Sequence, residues 1–428
     1  MGYRGSVTVA IRAVAAALAL VAVTAGAAPA QPTGEALPGL EAYDQLMTAV
    51  LRKWRVPGAG LAVARDGRIL LARGYGLADR ASGAPVEPTS LFRLASLSKT
   101  VTAVAVLQLV QEGRLGLDTK VLPLLGELGP RPGKITDARV RNITVRHLLE
   151  HSAGFDRDKS GDPVFMPYAA AAAKRQGGPL PPDCPTIMRD TLERKLDFTP
   201  GTRFAYSNIG YCILGRVIER VAGAPYEAHV RERVLGPAGA ARMKVGRTRE
   251  AAEGEVTYYD FETKEHPTMP GLGVTHAPRP YGGFAVETMD AYGGWIGSPV
   301  DYLRFVLAID GRRGPALLNA ATVARMNAHA GPQDGAGGEE SAPFGSFYAL
   351  GVRVRPVKGG GVNTWHFGSL PGTVSIALRS ADGFAWVVAF NGRPADRNIF
   401  RYAVDRALWE AKGKVKSWPA GDLAAARP

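Results

Sequence analysis

The sequence predicts an α/β (α+β) fold: an antiparallel sheet built from both chain ends, flanked by helices, with a mostly α-helical domain inserted. Three observations predict it. Strand-like runs at 60–64 and 69–75 are separated by Asp66-Gly67, and Asp-Gly between apolar runs signals a tight hairpin. Four further strand-like runs, at 347–354, 363–366, 374–379 and 384–390, fill the C-terminal third. The stretch between reads as helices, so the economical arrangement folds both ends into one sheet. The expected division is a signal peptide over 1–30, a sheet domain over 31–100 and 290–428, and a helical domain over 101–289.

Taken in order, the first 30 residues combine Arg4 and Arg12, an apolar run from Ala13 to Gly26, and small residues at Ala28 and Ala30. That is the pattern of a secretory signal, so an exported protein, periplasmic or secreted, is expected. The run is short for a membrane span, and no other segment reaches ~18 uninterrupted apolar residues. Residues 37–55 place Leu40, Leu46, Val50, Leu51 and Trp54 near one helical stripe. Ser96 to Gln111 reads as a buried helix stopped at Gly113. Thr144 caps a short helix to His151, 155–185 reads as irregular, and Asn208 to Val221 is a helix ended by Gly223. Ser298, Pro299 and Asp301 open a helix to about Ile309. The stretch 331–342 reads as a flexible loop, and Asn398 to Lys412 returns to helix.

Composition narrows the function. The chain has 428 residues, 21% charged and 46% hydrophobic, which excludes disorder as its main state. The net charge of +13 is scattered rather than clustered. It reads as a basic solvated surface and not as a nucleic-acid site. Two cysteines exclude a disulfide scaffold and a Cys-based zinc finger. Cys212, on an apolar helix, and Cys184, in a Pro-rich loop, are expected to be two independent thiols.

No Ser lies in Gly-x-Ser-x-Gly, so the α/β-hydrolase nucleophile elbow is absent. Ser96 and Lys99 fit Ser-x-x-Lys. With 15 Ser and 13 Lys, chance alone gives roughly half a match, but the context sharpens it. Ser96 opens an apolar helix, where a free N–H and the positive dipole end stabilise an oxyanion. Lys99 follows one turn later, among apolar neighbours where a desolvated amine can take the Ser proton. Tyr206 and Asn208 fit Tyr-x-Asn at a turn before a helix, where a Tyr can shuttle protons. His366, Phe367 and Gly368 end a strand-like run and lead into Ser369, whose N–H could supply a second oxyanion donor. His329, in a second His-x-Gly, reads as surface. His147, Glu150 and His151 match the His-x-x-Glu-His metal pattern. The helix has about two turns and no third ligand stands out, so they read as local hydrogen-bonding residues, with no metal.

Three segments carry a resemblance: Phe92 to Thr100 with Ser96 and Lys99, Ile143 to Gly154, and Pro200 to Asn208 with Tyr206. In that order the chain resembles the serine β-lactamase-related superfamily. More narrowly, it is similar to the branch of class C β-lactamases, D,D-peptidases and family VIII esterases. The resemblance covers about 38–410. It implies a β-lactamase/transpeptidase-like fold with the site between the α/β and helical domains. It further implies Ser96 as acylated nucleophile, Lys99 as its activator and Tyr206 as general acid/base. Asn208 would touch the substrate amide or orient Lys99, and the backbone N–H groups of Ser96 and Ser369 would form the oxyanion hole. His366 to Gly368 stands where lactamases carry Lys-Thr-Gly, a departure that touches recognition of a substrate carboxylate. The expected protein is an exported serine hydrolase without cofactor, acting on a small-molecule or peptide acyl substrate, with esters favoured. A true β-lactamase or D-alanyl-D-alanine carboxypeptidase is one alternative. A penicillin- or peptidoglycan-binding protein with little turnover is another.

Overall fold

Asp66 and Gly67 both take positive φ, 50° and 79°, the backbone a two-residue hairpin requires. They join β2 (Gly58–Arg65) to β3 (Arg68–Gly76). The computed structural model of the protein describes residues 31–332 and 345–423. The expected signal over 1–30 and most of the 331–342 loop lie outside the described residues. One eight-stranded sheet organises the rest. It adds β1 (Thr33–Ala36), β4 (Phe347–Tyr348), β5 (Arg353–Pro356), β6 (Val362–Leu370), β7 (Thr373–Arg379) and β8 (Phe384–Phe390), in the order β1-β3-β2-β8-β7-β6-β5-β4. All neighbours are antiparallel. The two chain ends meet at β2 and β8, with Val63 opposite Trp386 and Leu61 opposite Val388. The run expected at 347–354 splits into β4 and β5 because Gly351 turns at φ 85° and lies where a Cβ would come within 2.2 Å of Ala103 Cβ.

Alternation sorts the two faces. Leu61, Val63, Trp386, Val388 and Phe390 point to one side. There they meet Tyr43 and Met47 of α1 (Glu41–Trp54) and Phe400, Val404 and Leu408 of the last helix, Arg397–Lys414. On the opposite face lie the smaller Ala62, Ala64, Ala385 and Ala377. Small side chains there let the helix Pro299–Ala308 approach the sheet closely, and α2 (Ser98–Gln111) joins the same core. No helix among the described residues is long and apolar enough to cross a membrane.

Between the sheet segments most of the regular elements are helices, with short strands at Phe92–Arg93, Lys244–Val245, Tyr259–Asp260, Glu265–Pro267, His276–Pro278 and Trp295–Gly297. Three of these helices are α3 (Val145–Leu149), α4 (Cys184–Leu192) and α5 (Asn208–Ala222). The 155–185 stretch, expected to be irregular, holds a helix at Tyr168–Gln176. Its alanine run supplies the propensity that flanking Pro and Gly residues concealed. Asp183 caps α4 through Thr186 N at 2.9 Å, which lays Cys184 against α5. The two cysteines are therefore joined, Cys184 to Cys212, with Cα atoms 5.8 Å apart. This corrects the expectation of two independent thiols. The Pro-rich segment is ordered onto α5 instead of standing off as a loop.

One close approach positions the site. A Cβ on Gly368 would come within 2.3 Å of Leu94 O and 2.2 Å of Ser375 Oγ. Only glycine lets β6 lie against the segment 94–97, which leads into α2. Ser375 Oγ donates to Leu94 O at 2.7 Å, and Leu94 N donates to Trp295 O at 2.9 Å. Arg93 anchors the same segment from below. It donates to Pro280 O at 2.6 Å and Thr248 O at 3.1 Å, with its guanidinium 4.3 Å from the Tyr258 ring centroid.

Two outcomes are expected. Thiol counting of the denatured, unreduced protein should find no free thiol. Replacing Cys212 by Ser should then cost about 3–4 kcal/mol of stability for a bridge across 28 residues; two free thiols would contradict the pairing. Gly368→Ala should lower stability by about 1–3 kcal/mol in a denaturant titration. An unchanged midpoint would mean that the 94–97 segment yields without strain.

Candidate active site

Ser96 lies in a 3₁₀ turn, Ala95–Leu97, immediately before α2. Ala95 is held at φ 50°, a left-handed conformation that costs an L-residue about 1–2 kcal/mol. The contacts of Leu94 and Gly368 described above enforce it. This bend leaves Ser96 half-buried and facing a cleft while its neighbours Ala95 and Leu97 are buried. Lys99, one turn on, is wholly buried. Its Nζ lies 3.1 Å from Ser96 Oγ, 2.7 Å from Asn208 Oδ1 and 2.8 Å from Tyr292 O. An ammonium has three N–H donors, and three elements each supply one acceptor.

Tyr206 arrives from the turn before α5, and Asn208 is the first residue of that helix. Ser207, not Asn208, caps that helix through Gly210 N. The Asn208 amide is thereby available to bridge Lys99 and Asp162, whose Oδ2 accepts from Asn208 Nδ2 at 2.6 Å. Desolvation pushes the Asp162 carboxyl pKa up, against the opposing pull of Arg157. The Tyr206 ring centroid is 4.9 Å from Lys99 Nζ and 4.3 Å from the His151 ring. His151 is buried and held neutral by desolvation, its pKa well below the ordinary value. Its Nδ1 accepts from Ser207 N at 3.1 Å, so the ring packs Tyr206 and fixes the next backbone unit. His147 Nδ1 accepts from Thr144 N at 3.3 Å in a capping box. Both histidines of the His-x-x-Glu-His pattern thus serve backbone N–H groups, and no group of His, Cys, Asp or Glu among the described residues could hold a metal.

The cleft has a volume of about 180 Å³ and is lined by Ser96, Tyr206, Asn208, Gly368 and Ser369 among others. The structure therefore brings five of the sequence-predicted residues to one cavity, with Lys99 just behind. His366 stands apart from that lining. Its Nδ1 donates to Phe367 O at 2.8 Å and its Nε2 accepts from the Tyr348 hydroxyl at 2.9 Å. Burial, reinforced by the Lys99 charge, pushes its pKa down to about 3, so the ring is neutral and its tautomer fixed. Phe367 alternates to the opposite face, against Tyr402 and beneath the Arg401 guanidinium at 4.8 Å, and its edge reaches the cleft. Four arginines, Arg157, Arg393, Arg397 and Arg401, line the same cavity with no carboxylate among the lining residues. Arg393 is matched from behind by Asp260 at 2.8 Å.

A hydroxyl 3.1 Å from a buried amine, beside a phenol and open to a cavity, is an arrangement in which protons can move between the three. Sequence reasoning missed Asp162, the Tyr292 carbonyl and the four arginines. None stands at a fixed spacing from the motifs, and they come from three separate segments, around 157–162, 292 and 393–401. The packing role of His151 was equally hidden, although the residue itself was noticed.

A family model described as Beta-lactamase matches residues 43–408. The FimD protein, serogroup D, of Dichelobacter nodosus is 41% identical over 144 residues, 34% of this chain and 32% of FimD, so the chain spans about a third of that relative. Esterase EstB of Burkholderia gladioli is 31% identical over 339 residues, 74% of this chain and 81% of the esterase. In fold, the chain is similar to the D-amino acid amidase of Ochrobactrum anthropi SV3. The TM-score is 0.65 at 22% identity, over 89% of this chain and 99% of the amidase. The match across 43–408 and the long alignment with the esterase agree: the chain belongs to the beta-lactamase family.

Proposed function

We propose that the protein is an exported serine hydrolase that forms an acyl-enzyme on Ser96 and hydrolyses an ester or amide. The observation that carries the reading is the 3.1 Å contact between Lys99 Nζ and Ser96 Oγ at the start of α2. A neutral Lys99 amine accepts the Ser96 proton as Oγ attacks the acyl carbon. The carbonyl π electrons move to oxygen, where the backbone N–H groups of Ser96 and Ser369 receive the charge. Collapse expels the leaving group, which takes a proton through Tyr206. Water then attacks the acyl-enzyme, losing its proton along the same route, and Ser96 is restored. Export is supported by the first 30 residues and by the Cys184–Cys212 bridge, which an oxidising compartment permits.

Esters are the favoured class. The acylation groups are indifferent to substrate charge, while His366 is neutral and turned inward and Phe367 donates nothing. The positive charge that the arginines bring to the cleft favours a second reading, a carboxylate-bearing lactam or D-Ala-D-Ala substrate.

Ser96→Ala should lower kcat by at least about 10³-fold with the fold intact. A fluorophosphonate should label the wild type once, at Ser96, as read by intact mass and peptide mapping. Labelling at another serine would sink the assignment. For substrate class, kcat/KM for p-nitrophenyl butyrate should exceed that for a chromogenic cephalosporin, and Arg397→Ala should change the ester rate by less than about threefold. Faster cephalosporin turnover, lost about 10- to 150-fold in Arg397→Ala, would install the second reading. Stoichiometric product without turnover would indicate a binder in place of a hydrolase.

A further inference from the structure

We propose that Asp162 is a positioning residue that keeps the Asn208 amide from rotating and so keeps the Lys99 lone pair available to Ser96. The inference rests on the reading of Lys99 as the group that takes the Ser96 proton.

One amide is held at both ends. Asn208 Oδ1 faces Lys99 Nζ at 2.7 Å, and Nδ2 faces Asp162 Oδ2 at 2.6 Å. While Lys99 is an ammonium it can only donate, and it holds the amide oxygen toward itself without help. The proposed reaction needs the other state. A neutral amine has a lone pair, and an amide N–H is a good donor to it. A half-turn of the Asn208 amide would place Nδ2 against Lys99 and occupy the lone pair that must receive the Ser96 proton. The ammonium no longer opposes that turn once it has lost its charge.

Asp162 opposes it from the far side. Turning the amide would set its oxygen against a carboxylate oxygen and break a short charge-assisted hydrogen bond. The carboxylate is itself fixed, receiving Val164 N at 3.4 Å on Oδ1 while the Asp162 carbonyl receives Phe165 N at 3.2 Å. The backbone of Asn208 is equally fixed, in the first turn of α5 behind the Ser207 cap. The side-chain amide is the one rotatable piece between two anchored groups. A half-buried carboxylate three contacts from Ser96 is costly to keep, and this function accounts for its place.

The test is the rate at which a fluorophosphonate labels Ser96, together with kcat and KM for p-nitrophenyl butyrate. It is applied to Asp162→Ala, Asp162→Asn, Asn208→Ala and the double variant Asp162→Ala with Asn208→Ala. Asp162→Ala should label about 10- to 100-fold more slowly with KM within about threefold. Asp162→Asn, whose amide oxygen still accepts from Nδ2, should recover to within about fivefold of wild type. The double variant should be no slower than Asn208→Ala alone, because Asp162 acts through Asn208. If Asp162→Ala does not fold, Asp162→Val removes the acceptor at nearly equal volume and takes its place. Wild-type labelling in the folded Ala or Val variant would overturn the inference, as would an effect confined to KM or a double variant whose losses multiply. Ser96→Ala separates the two levels. If it is still labelled, the reading of the nucleophile fails; if it is not, and Asp162→Ala labels normally, only the role of Asp162 fails.

Discussion

A lysine with no exposed surface is the constraint from which the rest of the site follows. A buried, unpaired ammonium would cost several kcal/mol. Lys99 avoids this only if three acceptors converge on it, and they come from the turn before α2, from the first residue of α5 and from the carbonyl of Tyr292. Each donor direction recruits a different stretch of chain. The position of α5 relative to α2, and of the 290s beneath both, is therefore set by the coordination of one nitrogen as much as by the apolar packing around it.

The sheet supplies the rigid side of this arrangement. Its alanine-rich face lets the helix Pro299–Ala308 lie close, and the missing side chain at Gly368 lets β6 press on the segment before Ser96. That pressure keeps Ala95 in a backbone conformation it would not choose. Strain is stored next to Ser96 and held by many ordinary contacts further away. The Arg93 guanidinium, packed on Tyr258 and donating to carbonyls of the 247–280 segment, ties down the strand that leads into the strained turn.

Much of this was legible in the sequence because it is written in local periodicity. The Asp66-Gly67 turn, the Ser298 cap and the glycine stops at 113 and 223 each depend on a few adjacent residues, and the elements they bound appear within a few positions of where they were expected. Ser96, Tyr206 and Asn208 were found through short motifs, and they share one cavity. What stayed hidden depends on which distant segments meet. The Cys184–Cys212 pair needed the fold of a Pro-rich stretch whose helix start is set by Asp183. The arginines of the cleft come from two regions of the chain far apart in sequence. His366 illustrates a subtler failure. Its position on β6 was legible, but the inward turn of its ring toward Tyr348 depends on a partner 18 residues earlier.

The pairing of β2 with β8 has a consequence for how the molecule is made. Leu61 finds Val388 only after the long stretch between them has been synthesised. Closing a longer loop adds only about 0.6 kcal/mol per doubling, so the delay weighs on the rate of folding far more than on final stability. Until β8 arrives, the β2–β3 hairpin presents β2 as an open edge, apolar on both faces from Ala59 to Ala64. Such an edge pairs readily with the wrong strand, including its counterpart in a neighbouring nascent chain. The strand that completes the sheet also closes the interval of greatest risk.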